Sequence, residues 1–154
     1  MKKIEIKLHH TIVAPLLDYL RELVPEMKRQ GNPSLAAMPD MDADLKEIWA
    51  DDLRALWQAD EEIFFGIFDK EFIENGTIGI DEQNGDAVLR ACSAFRLRLR
   101  VEDLAAIPDE VLECGECRYE SLNEVQKRGY SAYLFLGALQ EIVMEHLDLL
   151  RNGS

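Results

Sequence analysis

From Tyr130 to Met144 the chain is almost wholly apolar, interrupted by Ser131 at the start and by Gln140-Glu141 near the end. A helix that is hydrophobic all round belongs in the centre of a fold, so 130–150 reads as a central closing helix. A carboxylate carried into that setting needs a hydrogen-bonded or charged partner, because an unpaired buried charge is too costly to persist. Glu141 therefore calls for an arginine, and Phe95-Arg96-Leu97-Arg98-Leu99-Arg100 offers the cluster. Arg96 and Arg100, four apart, share a helical face and can bracket one carboxylate. Bidentate arginine–carboxylate geometry suits such a partly buried pair. The first expectation is a salt bridge locking two helices. The functional reading of the same residues is a small polar pocket in which Arg96, Arg100, Tyr133, Gln140 and Glu141 bind an anionic or polar ligand.

The rest of the chain reads as helices around that element. Lys3 to Leu8 alternates, with Ile4, Ile6 and Leu8 on one side, and is a short strand. A helix over 11–29 follows, with Thr11 as its N-cap, Pro15 in its first turn, and Pro25 bending or shortening its end. Gly31-Asn32-Pro33-Ser34 breaks the chain, and Leu35 to Met41 is loop. Asp42 or Asp44 caps a helix over 44–74, long enough to imply a kink or two helices before Asn75-Gly76 stops it. Leu45, Ile48, Trp49, Asp52, Leu56, Ala59, Ile63 and Ile67 lie near one of its faces, and Phe64, Phe65, Phe68 and Phe72 mark a more deeply buried second half. Thr77 to Ile80 is a very short strand that can pair with Lys3 to Leu8. Asp81 caps a third helix over 82–104, although Phe95 to Val101 also alternates like a strand. Helix is preferred, since no turn signal separates that stretch from Asp86 to Ala94, and leucine and arginine are good helix formers. Ala106 to Arg128 is polar, with one helical turn after Pro108, and Gly129 separates it from the closing helix. The fold expected is mainly α: a single domain, 1–154, of four to five helices with a central C-terminal helix and at most a small two-stranded β appendage.

Charge narrows the classes of partner. The net charge is −13, and 40–74 carries twelve acidic and three basic residues, which is −9 of that total. Such a face repels nucleic-acid phosphates and anionic lipid headgroups, so neither nucleic acid nor membrane is expected as a partner. It also suits docking of a basic protein; a homodimer is the other assembly considered for the chain. Trp49 and Trp57 are eight residues apart, roughly two helical turns, and would anchor an interface if exposed. No apolar run approaches the roughly 18 residues of a membrane span. Ile4-Glu5-Ile6-Lys7-Leu8 alternates where a signal peptide would be apolar, and the cysteines number three. A reducing cytoplasm is the expected home, and a bacterial origin fits this composition without following from it.

Chemistry-bearing motifs are few. Cys114-Gly115-Glu116-Cys117 has the spacing that lets two sulfurs reach one centre, so it is a weak candidate for zinc or thiol exchange. No second Cys-x-x-Cys exists, His9, His10 and His146 lack finger-like spacing, and Glu113, Glu116 and Glu120 make the loop acidic, unlike the electropositive setting of a reactive thiol. Asp40-x-Asp42-x-Asp44 opens like a calcium loop, but Leu45 stands where glycine is needed and Asp51 where glutamate is. Glu-x-x-His, Gly-x-Ser-x-Gly, the Walker loop and Gly-x-Gly-x-x-Gly are all missing. No cofactor is expected, and nothing in the sequence argues for an enzyme.

Two segments carry a family likeness. Asp86-Ala87-Val88-Leu89-Arg90-Ala91-Cys92-Ser93-Ala94-Phe95-Arg96-Leu97-Arg98-Leu99 resembles the third-helix pattern of a bacterial, mainly actinobacterial, domain-of-unknown-function family. In that pattern an Asn-Asp-Leu-Arg-Leu string follows a small-residue helix; its Arg-Leu falls on Arg96-Leu97, and Ala94 stands where it has Asp. Tyr133 to Glu141 is similar to the family's closing Tyr-x-x-Leu-x-x-Leu-Gln-Glu string, and Asp51-Asp52-Leu53-Arg54 to part of its middle helix. The resemblance implies a small helical domain with no assigned activity or catalytic residues. Family members are often encoded near the ClpS adaptor of the Clp protease, which implies a role around regulated proteolysis. The function expected is a non-enzymatic interaction or regulatory domain that docks a protein through its acidic second helix. The alternative is a small-molecule- or metal-binding protein using Arg96 and Glu141 or the cysteine loop.

Overall fold

Ile4 and Ile6 alternate with Glu5 and Lys7, and that period of two becomes β1, Ile4–Lys7. It pairs antiparallel with β2, Thr77–Ile80, in the register Ile4 opposite Ile80 and Ile6 opposite Ile78. In this computed structural model the residues described are 3–30, 43–115 and 117–152. The break expected at Gly31 to Ser34, the loop at Leu35 to Met41, and the caps and acidic triplet that use Asp40 and Asp42 lie outside them. The described chain is a mainly α-helical bundle with this one small sheet.

Between and after the strands run α1 (His10–Gln30), α2 (Ala43–Gly66), α3 (Lys70–Asn75), α4 (Gly85–Val101), α5 (Asp109–Cys114), a 3-10 turn at Tyr119–Ser121, and α6 (Glu124–Asn152). The expected helix over 44–74 is two helices. They part at Asp69, whose carboxylate accepts from the amides of Glu71 at 3.0 Å and Phe72 at 3.4 Å. Gly76 closes α3 in the left-handed region at φ 72°; a Cβ there would also lie 2.6 Å from the Leu8 carbonyl oxygen, which joins α3 to the strand pair.

Three expected boundaries move, each for a local reason. Thr11 does not cap α1, because the His9 carbonyl already accepts from Ile12 and Val13 at 3.0 and 2.9 Å. Asp81 caps a turn rather than the helix: its carboxylate takes the amides of Gln83 and Asn84 at 2.8 and 3.0 Å, and α4 starts only at Gly85. Gly129 does not separate α6 from what precedes it but lies inside the helix. Asn123 and Gln126 cap α6 reciprocally, at 2.8 and 3.0 Å, well before Gly129. Glycine is required at 129 by packing, since a Cβ there would meet the Asp103 Cβ at 2.7 Å.

The buried residues form one cluster. Phe64, Phe68 and Phe72 stack edge-on down the α2–α3 corner, and Phe64 meets Phe95 of α4 at 5.4 Å. Val88, Ala91, Cys92, Phe95 and Leu99 of α4 pack with Ala132, Leu136, Leu139, Val143 and Leu147 of α6. α6 is not apolar all round in its surroundings. Leu134, Ala138, Glu141, Met144, Glu145 and Asp148 form an exposed stripe along its outer side. The leucine and methionine in that stripe made the segment look uniformly buried.

Candidate functional site

The predicted polar constellation is only partly assembled. Arg96 lies over the Tyr133 ring, 4.3 Å from its centroid, a cation–π contact between α4 and α6. One Arg96 amino group donates to Gln140 Oε1 at 3.0 Å, and Gln140 in turn donates to Ser93 Oγ at 2.7 Å and the Leu89 carbonyl at 3.4 Å. Glu141 is exposed and makes no ion pair with Arg96. The expected Arg96–Glu141 bridge is therefore replaced by Arg96–Gln140. One residue along a helix is about 100° of rotation, which carries Glu141 from the α4 side to the solvent side.

Arg100 faces elsewhere. It contacts Asp109 at 2.8 Å and Glu113 at 3.4 Å, tying α5 to the end of α4. It does not join Arg96 around one carboxylate. Cys114 is exposed and Cys117 half-buried, on either side of Gly115 at φ 69°. Among the described residues no group of three or more His, Cys, Asp or Glu side chains is placed to hold a metal ion.

Two polar pairs escaped the sequence reading. Asp60, 4% exposed, receives a two-pronged arginine contact from Arg90 at 2.9 Å on each oxygen, joining α2 to α4. Its signal was present: Asp60 sits at helical spacing between Trp57 and Phe64, both turned inward. Tyr19 donates its hydroxyl to Asp103, and Arg128 stacks over the Tyr19 ring at 4.1 Å. Burial first, then the hydrogen bond and negative charge of Asp103, push the Tyr19 phenol above its usual pKa. No local pattern announces a contact between residues 84 apart.

The larger feature is the surface of α2. Among the residues of its first four and a half turns whose burial is described, 44–45 and 47–59, none is buried; burial begins at Asp60 and Phe64. Leu45, Ile48, Trp49 and Leu56 are exposed by 44% to 59%. Trp57 behaves differently from Trp49, because eight residues are about 80° beyond two full turns. Its indole turns inward onto Phe95 at 5.2 Å, with its nitrogen buried and lacking a partner among the described residues. Beside Trp57 runs a cleft of about 360 Å³ between α1, α2 and α4, floored by Met27, Leu53, Ala94 and Leu97. The exposed stripe and this cleft are continuous through Leu56. None of the described helices is long and apolar enough to cross a membrane. In comparisons with family models, with curated proteins and with solved structures, the chain matches none of them.

Proposed function

We propose that this protein is a non-enzymatic interaction domain, and that the stripe and cleft along α2 receive a protein partner. The observation that carries the reading is the bare first half of α2. An amphipathic helix normally buries its apolar face, yet Leu45, Ile48, Trp49 and Leu56 each stay about half exposed. Trp49 is the natural anchor, since tryptophan is among the residues that dominate binding energy at interfaces. The negative charge of α2 opposes a nucleic-acid or anionic-lipid partner. The setting implied by the family resemblance at Arg96-Leu97 and Tyr133 to Glu141 is regulated proteolysis.

Native mass spectrometry of the protein freshly isolated from its own cells tests this. The chain together with a second protein, reduced to the chain alone by Trp49→Asp, is the expected result. A retained small molecule or metal in place of a protein would contradict it and favour the Arg96 or Cys114–Cys117 regions instead.

A further inference from the structure

The stripe on α2 has a carboxylate in its middle. Asp52 is exposed, and among the described residues it has no hydrogen bond or ion pair. Its neighbours on the helix surface are Ile48 and Trp49 one turn before and Ala55 and Leu56 one turn after. Any partner that covers this face strips water from Asp52. A carboxylate desolvated among apolar side chains and left unpaired opposes binding strongly.

We infer that the occupant of this face is an amphipathic helix of a partner protein that carries a lysine or arginine within its own apolar side, placed to meet Asp52. This rests on the docking reading above and adds the chemistry of the partner. The stripe from Leu45 to Ile63 is about 27 Å long, so a helix of about five turns spans it. Exposed Glu62, about 80° round the helix from Asp52 and without an ion pair among the described residues, extends the negative field to one flank and favours a basic partner. A second copy of this chain fits poorly. Symmetric antiparallel pairing about the middle of the stripe would bring the two Asp52 carboxylates to within about 6 Å along the helix axis, with no cation between them.

The test uses the full chain and two synthetic 18-residue amphipathic helical peptides without tryptophan. They are identical except that one has arginine and the other leucine at the centre of the apolar face. Binding is followed by tryptophan fluorescence and calorimetry. The arginine peptide should bind wild type about tenfold or more tightly than the leucine peptide, and Asp52→Leu should reverse that order. Because Asp52 is exposed, the variant should melt like wild type. If the leucine peptide binds wild type as well as the arginine peptide does, and Asp52→Leu leaves the order unchanged, the inference is overturned while docking on α2 stands. If neither peptide binds, the docking reading falls as well. Self-association of the free chain through this face in sedimentation experiments would also overturn the inference, in favour of a homodimer.

Discussion

Replacing Gly129 by alanine sets two physical effects of opposite sign against each other. Gly129 lies within α6, and on helix propensity alone alanine would stabilise the helix by about 1 kcal/mol. The structure reverses the sign. A Cβ at 129 would lie 2.7 Å from the Asp103 Cβ and 2.8 Å from its Oδ2. The Cβ is held close to the backbone, and the carboxylate is engaged by Tyr19, so neither can move aside freely. Overpacking of this kind costs about 1–3 kcal/mol. Loosening a hydrogen bond to a charged acceptor adds about 1.5–3 kcal/mol where it breaks. Against the propensity gain, the net expectation is a loss of about 2 kcal/mol, or roughly 4–8 °C in Tm for a chain of this size. Urea unfolding followed by circular dichroism reads it directly. An alanine variant as stable as wild type, or more stable, would refute the close packing of α6 against the Asp103 turn.

Glu141→Gln should change stability by less than about 0.5 kcal/mol, since Glu141 faces solvent. Gln140→Ala, which removes the acceptor from Arg96 and the donor to Ser93, should cost about 1–2 kcal/mol in the same urea assay. Arg90→Ala leaves the buried Asp60 carboxylate unpaired; half-exposure of Arg90 brings the expected loss to about 2 kcal/mol, below the ~3–5 of a fully buried pair. Burial, partly offset by Arg96, pushes the Cys92 thiol up to about 12, so a thiol reagent at pH 8 should titrate two cysteines in the folded protein and three after denaturation. Because the folded thiol holds its proton more tightly than the unfolded one, Cys92 favours folding fully below about pH 9. That contribution should fade as pH rises toward 12, and Cys92→Ala should lessen the fade.

Alternation made the Ile4 to Leu8 strand legible, and the missing turn signal after Asp86 outweighed the strand-like alternation of Phe95 to Val101. Length alone implied a kink or split in 44–74, and helical spacing marked one face of that segment. The deep burial of Phe64, Phe68 and Phe72 followed from the same spacing. Facing was harder to read. Gln140 and Glu141 are adjacent, and nothing local says which of them α4 will meet; Gly129 looked like a helix breaker until Asp103, far away in sequence, claimed the space of its side chain. Trp49 and Trp57 looked like a matched pair because eight residues is close to two turns, yet the remaining rotation turns one into the core. The apolar row containing Asp52 was visible in the sequence, but that it stays uncovered depends on how the other helices pack.

The most direct test of an α2 docking surface places a photo-crosslinking amino acid at Ile48 and, as a control, at Leu134 on the exposed stripe of α6. Illuminated in the protein's own cells, the Ile48 probe should give one discrete protein adduct that is absent with the Leu134 probe and lost when Trp49→Asp is added. No adduct at Ile48, or the same adducts from both positions, would contradict the account.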